Sequence, residues 1–399
     1  MPMPLAVVGA LLLVLGAAAA AVGILPWPAV GALTERVGPI LAFVASITVV
    51  TELLNAAGLF EWMASYFRRW GRGRVWVLWL LVVGLSLAAT VFLSLDTTAV
   101  LLTPIVVVLA RRCGLPPLPF ALTTVWLANT GSLLLPVSNL TNLLALHALG
   151  SVSPGEFAAR MALPALWCAA VPVAAVALVF RRELAGRYNS VRLGRVQSDP
   201  DEAQGAQAST RDPVLLGLGA GVLALLLPAL VTGVPVWIPA TAAALVLLVA
   251  FGIRRRTVLR WALVPWQLLV FAAGLFLVME ALQYVGAREL AAAVLGTGDG
   301  PGSLVRVAAA GAVGANVVNN LPAYLAFEQA AGGPARLVAL LVGVNAGPLV
   351  APWASLATLI WHEQLRRLGV GISWWGYAAA GAVLVPLMVV PAALLAALG

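Results

Sequence analysis

A chain of 399 residues in which 62% are hydrophobic and only 10% charged cannot cover itself with a water-exposed surface, since a soluble domain carries roughly a quarter charged residues. At about 20 apolar residues per span, the length accommodates roughly ten membrane elements. The net charge of +8 does not indicate a nucleic-acid partner, because every basic residue is arginine and the arginines cluster in short loops, which is a topology signal. The two cysteines, Cys113 and Cys168, support neither a disulfide framework nor a metal site.

In chain order, apolar stretches occupy about 5–25, 38–60, 75–110, 118–150, 158–180, 213–231, 236–253, 262–286, 301–331, 336–365 and 374–398. The first has no basic segment before it and is long enough to span, so it reads as a membrane helix and not a signal peptide. Arginine clusters sit at 68–74, 111–112, 181–211, 254–260 and 366–367. The positive-inside rule places all of them in the cytoplasm. Stretch 75–110 then starts and ends on the cytoplasmic side, and 301–331 starts and ends outside. The expected fold is an all-α polytopic membrane protein with about nine to eleven transmembrane helices, two re-entrant helical hairpins and two broken helices. The N-terminus is cytoplasmic and the C-terminus outside. Segment 181–212, with Asp199, Asp201, Glu202, Gln204, Gln207 and Ser209, is too polar to build a core and reads as a cytoplasmic linker.

The two sides of that linker resemble each other, which makes 1–180 a first repeat and 213–399 a second. Phe43, Glu52 and Gly58 have the spacing of Phe271, Glu280 and Gly286. Hairpin segment 92–99 aligns with 316–323, which sets Asp96 opposite Asn320. Segment 129–143 aligns with 345–359 without a gap, matching Asn129 to Asn345 and Pro136 to Pro352. The charge map gives the copies opposite orientations, the inverted-repeat arrangement that alternating access uses.

Within each copy, glycine and proline interrupt a helix: Gly131 and Pro136 in 118–150, Gly347, Pro348 and Pro352 in 336–365. Small polar residues flank the interruptions, and broken half-helices direct their end dipoles toward a buried ligand. The expected substrate-binding set is Ser94, Thr97, Thr98, Asn129, Ser138, Asn139, Asn142, Asn316, Asn319, Asn320, Asn345, Ser355 and Thr358. A charge at the bilayer centre costs about 2.5–3.5 kcal/mol on insertion scales, so a carboxylate there is kept for a role. Asp96, at the first hairpin tip, is read as the proton- or cation-coupling group, against a simple hairpin cap. Glu52 and Glu280, inside apolar helices, belong either to a proton path or to a helix cap. Glu61, Glu289, Glu328 and Glu363 read as interfacial, as do His147 and His362. Trp27, Trp76, Trp261, Trp353 and Trp374 read as interface anchors. No HExxH, P-loop or Gly-x-Ser-x-Gly pattern supports an enzyme.

On these motifs the chain resembles the arsenite/antimonite efflux permeases of the ion transporter superfamily, which also holds sodium/dicarboxylate symporters and certain sodium/proton antiporters. Segment 94–105, in which Asp96 precedes an apolar stretch ending Thr103-Pro104-Ile105, looks like that family's first hairpin motif. Segment 135–142 is similar to its Ser-Asn-Leu-x-Asn motif, 318–322 to its Asn-Asn-x-Pro motif, and 345–361 to its last motif, closing on Trp361. Ala354 stands where the family has glycine. The resemblance implies export of trivalent arsenic or antimony hydroxide driven by a proton gradient, with sodium as the alternative coupling ion and no cofactor. A prokaryotic plasma membrane is implied, with a cytoplasmic ATPase subunit in some members and a homodimer as the candidate assembly. The alternative is a sodium/proton antiporter or sodium-coupled dicarboxylate transporter of the same superfamily; a channel or intramembrane enzyme is more remote. Asp96 would repel a dianion, and thiolate ligation of arsenic would need more cysteines, so hydroxyl and amide contacts are the expected ligands.

Overall fold

A computed structural model describes residues 5–150, 152–188 and 212–397, without the side chains of Leu5, Arg68 and Arg69. Most of the expected linker, including Asp199, Asp201, Glu202, Gln204, Gln207 and Ser209, lies outside the described residues. The described chain is an all-α polytopic membrane protein. Its helices are α1 (Leu5–Ala21), α2 (Trp27–Ala56), α3 (Leu59–Trp70), α4 (Val75–Phe92), α5 (95–112), α6 (Leu118–Thr130), α7 (Leu140–Ala148) and α8 (Pro154–Val179). After the linker come α9 (Pro213–Ala229), α10 (Trp237–Arg254), α11 (Trp266–Leu282), α12 (Arg288–Leu295), α13 (Pro301–Val318), α14 (Asn320–Ala331), α15 (Pro334–Ala346), α16 (Leu356–Arg367) and α17 (Trp374–Leu395). Among the described residues, seven helical segments are long and apolar enough to cross a membrane: α2, α4, α8, α10, the run 266–295, α13 and α17.

Local chemistry sets where these helices stop. Gly58 and Gly286, at φ +79° and +99°, take the left-handed backbone that a side chain resists. Each turns a long helix into a short one, α2 into α3 and α11 into α12. On α3, Leu59, Phe60, Ala64 and Phe67 are buried while Trp62, Ser65 and Tyr66 are exposed, so this helix lies on the protein's flank. Ser153 and Glu156 form a reciprocal capping box at the start of α8. Asp212 caps α9 and pairs with Arg254, whose guanidinium holds the Asp212 carboxyl below the usual carboxylate range.

The helices pack as two bodies. In the first, α1 lies along α11, α2 lies along α10, and α9 packs on α10. The α1–α11 crossing depends on Gly274, where a Cβ would stand 2.5 Å from the Leu13 nitrogen and 2.8 Å from the Gly9 oxygen. Ser46 and Thr241 share a hydrogen bond of 2.9 Å between α2 and α10. The second body holds α4–α8 and α13–α17, with α13 against α15 and α8 against α17. Its core includes Trp361, Tyr324, Phe120 and Phe157, all fully buried.

The loops carrying the arginine clusters meet at one end. Tyr188 donates its amide to the Gly73 carbonyl, Arg111 reaches the Gly369 carbonyl, and Arg255 reaches the Ala56 carbonyl. Arg36, Arg160, Arg288, Arg306 and Arg336 lie away from these clusters. Arg336, 4% exposed, is satisfied by the carbonyls of Ala331, Leu295, Gly296 and Gly298.

Candidate functional site: a cavity between hairpin tips and broken helices

Two chain reversals in the middle of the molecule share an unusual backbone. Between α4 and α5, Ser94 has φ +129°; between α13 and α14, Asn319 has φ +120°. Non-glycine residues rarely hold such angles, and strain of this kind persists only where the surroundings enforce it. Both side chains cap the helix that follows: Ser94 Oγ accepts from the Thr97 amide at 3.3 Å, and Asn319 Oδ1 from the Leu321 amide at 3.3 Å. Thr98 donates to the Ser94 carbonyl and accepts from Thr90, locking the first tip.

The tip geometry shifts the sequence register by one residue. Aligning Ala99 with Ala323 sets Asp96 opposite Asn320, yet the backbone pairs Ser94 with Asn319, which makes Leu321 the counterpart of Asp96. The extra residue is taken up by the π-helical turn Thr98–Leu102, a wider turn that absorbs one insertion without breaking the helix. Asp96 therefore projects from the first turn of α5, where the free amides favour a negative charge. Its Oδ1 is buried and has no hydrogen-bond partner among the described residues.

The two interrupted helices meet side by side. After α6 the chain makes two 3₁₀ turns, Gly131–Leu133 and Pro136–Ser138, before α7; after α15 it makes one, Pro352–Ala354, before α16. Asn139 and Ser355 precede α7 and α16 in the same extended conformation, φ −152° and −142°. One amide joins the breaks. Asn345 Oδ1 accepts from Asn139 Nδ2 at 2.8 Å and from Thr141 Oγ1 at 3.0 Å, and Asn345 Nδ2 donates to Asn142 Oδ1 at 3.0 Å. Asn142 in turn donates to the freed carbonyls of Ser132 and Leu135. Asn316 does the same for the second break, accepting from the amides of Val350 and Ala351 and donating to the Gly347 carbonyl. Ser138 donates to the Val91 carbonyl of α4, and Asn319 to the Trp353 carbonyl. Asn129 Nδ2 reaches Thr358 Oγ1 at 3.3 Å, while Asn129 Oδ1 and Ser355 Oγ are buried without partners.

A cavity of about 540 Å³ opens beside these elements, at the end of α2 and the start of α11 that adjoin the arginine-rich loops. Of the sequence-predicted residues it brings together Glu52, Ser94, Asp96, Thr97, Asn139, Asn319 and Asn320. It does not reach Thr98, Asn129, Ser138, Asn142, Asn316, Asn345, Ser355 or Thr358, whose polar groups sit behind the wall. Thr48, Thr51 and Gln267 also line it. The sequence reading passed over them because threonine and glutamine on a membrane helix look like ordinary helix contacts. Among the described residues no arginine or histidine lines the cavity, and none hydrogen-bonds or pairs with the Glu52 carboxylate.

Glu280 is not there. It lies near the other end of α11, where Gln329 Nε2 approaches its Oε2 at 3.4 Å. Beside it Glu328, read from sequence as interfacial, is 8% exposed, paired with Arg36 and accepting from the Tyr324 hydroxyl at 2.9 Å. Its place near a helix end concealed a partner almost three hundred residues away. Trp353, read from sequence as an interface anchor, is exposed, and its indole donates to the Asn316 carbonyl and helps hold the second break.

Apolar helices of spanning length, a largely apolar cavity with polar groups on its wall and helices broken beside it are the arrangement of a polytopic membrane transporter. The model described as "Citrate transporter" matches residues 1–358. The arsenical pump membrane protein of Escherichia coli (strain K12) is 31% identical over 380 residues, covering 89% of this chain and 85% of that protein. The arsenical pump membrane protein of Yersinia enterocolitica is 31% identical over 378 residues, covering 88% and 84%. The chain belongs to this family of arsenical pump membrane proteins, within the wider citrate-transporter group.

Proposed function

We propose that the protein exports arsenite or antimonite, as the neutral trihydroxide, in exchange for protons by alternating access, with Asp96 as the coupling carboxylate. The observation that carries this reading is the set of polar groups on the largely apolar cavity wall: hydroxyls, amides and two carboxylates, with no cation among the described residues. The N-termini of α5, α7, α14 and α16 border it, each equivalent to roughly +0.5 charge. Two ionised carboxylates balance four such ends, so an uncharged hydroxide meets little net field and many hydrogen-bonding groups. The names of the similar pumps point the same way.

The matched left-handed residues Gly58 and Gly286, the tips Ser94 and Asn319, and the extended caps Asn139 and Ser355 support an inverted repeat of 1–180 and 213–399. The positive-inside rule makes the arginine-rich end cytoplasmic. The cavity then faces the cytoplasm, the side from which an exporter loads.

The citrate description of the family model favours a second reading, an organic-anion carrier. A citrate carboxylate roughly 4 Å from Asp96 would be repelled by about 4 kcal/mol at an effective dielectric near 20, and no arginine among the described residues lines the cavity to offset that.

Everted vesicles given arsenite, citrate and sodium, each with and without a proton gradient, test the proposal. Arsenite accumulation that collapses with the proton gradient is expected. Citrate accumulation without arsenite accumulation sinks the reading.

A further inference from the structure

The two helix bodies touch very differently at their two ends. Near the arginine-rich loops the cavity separates them. At the opposite end polar contacts cross between them: Arg36 of α2 pairs with Glu328 of α14, Gln329 of α14 with Glu280 of α11, and Gln283 donates to the Leu325 carbonyl. The space left among these residues is about 10 Å³, no more than one water can use.

We propose that Arg36 and Glu328, with Glu280 and Gln329 beside them, are the latch that seals the external face while the cavity is open to the cytoplasm. This rests on the alternating-access reading above. The ion pair is suited to a reversible seal. The Glu328 side chain is 6% exposed and that of Arg36 is 27% exposed, so the pair is partly withdrawn from water. A buried charge that loses its partner is strongly disfavoured, so the closed form needs both groups. When the bodies separate, both ends regain water, and an exposed pair contributes little. Arg36 Nε is buried without an acceptor, which keeps the closed form from being over-stabilised. Glu328 also holds the Tyr324 hydroxyl of its own helix, so it stays oriented toward α2.

The test uses the full chain with Cys113→Ser and Cys168→Ala, and one reporter at a time. Thr51→Cys reports the cavity and Leu33→Cys the sealed end. A membrane-impermeant maleimide is applied to cells for the outside and to everted vesicles for the cytoplasmic side. Arg36→Gln and Glu328→Gln are each expected to raise Leu33→Cys labelling from outside by about tenfold and to slow Thr51→Cys labelling from the cytoplasmic side. Arg36→Lys, which keeps the charge, and the exchange Arg36→Glu with Glu328→Arg are expected to retain the wild-type pattern. If the otherwise wild-type reporters never respond to arsenite or to the gradient, alternating access falls and the latch with it. If they respond, but both neutral variants leave both labelling rates unchanged, the latch alone is overturned.

Discussion

Glu52 and Glu280 occupy corresponding places on two long helices, yet their surroundings differ. Glu52 faces an open cavity with no partner, while Glu280 lies against Gln329 in a closed polar cluster. The same contrast divides the whole molecule. At the cavity end the carboxylates of Asp96 and Glu52 stand without cations among the described residues. At the sealed end Glu328 is matched to Arg36. An unpaired carboxylate in a membrane interior is costly, so it persists where it exchanges a proton or meets a ligand. A paired one holds structure. The difference in pairing therefore separates binding groups from closing groups more sharply than sequence position does.

The strongest way to break this comparison is Asp96→Asn. Uphill arsenite accumulation in energised vesicles should fall to the level of vesicles lacking the protein, because the amide cannot carry the proton. Glu280→Gln should keep gradient-driven accumulation at a reduced rate. Equal losses in the two variants would erase the distinction between the ends.

Next in size is Asn345→Ala. It removes a side chain that accepts two hydrogen bonds and donates a third, stranding Asn139, Thr141 and Asn142 in a buried site. Each buried polar group left unpaired costs about 1–3 kcal/mol. A clear drop in thermal midpoint in detergent is expected, and an unchanged midpoint would show that the breaks are held together by packing alone. Glu52→Gln should act more mildly, weakening apparent arsenite affinity a few-fold with accumulation retained, measured as transport rate against arsenite concentration.

Much of this was legible in the sequence, but unevenly. Gly131, Pro136, Pro348 and Pro352 announced the interruptions because proline cannot complete a helix ladder, and an interrupted helix leaves the same signature wherever it packs. The places where the chain reverses at Ser94 and Asn319 were marked in the sequence by Asp96 and the Asn319-Asn320 pair. Their register was not, because a π turn inserts a residue without altering composition or hydrophobic pattern. Most of the proposed binding amides proved to be bonded to backbone or to each other behind the cavity wall. Asn142 and Asn316 hold freed carbonyls and amides, a role that sequence cannot tell from ligand binding when both use the same side chain. Arg36 was missed because it is an isolated arginine among eighteen others in loop clusters far from Glu328 in the chain.

The smallest effect concerns a paired carboxylate beyond the cavity. Asp212 caps α9 through the amides of Val214 and Leu215 and pairs with Arg254 at 2.6 Å, and these bonds lower its pKa in the folded protein. A lowered folded pKa means that the charge stabilises the fold above the ordinary aspartate range, and that this contribution is lost as pH falls through the lowered value. Asp212→Asn retains a capping oxygen and removes only the charge. Its thermal midpoint should lie slightly below wild type at neutral pH, the two curves should converge under acid conditions, and arsenite transport should be unaffected. Salt should narrow the neutral-pH gap, since the pair is partly exposed. A transport defect in this variant would mean that arginine pairing does not mark a carboxylate as structural, and the contrast drawn between Glu52 and Glu328 would lose its basis.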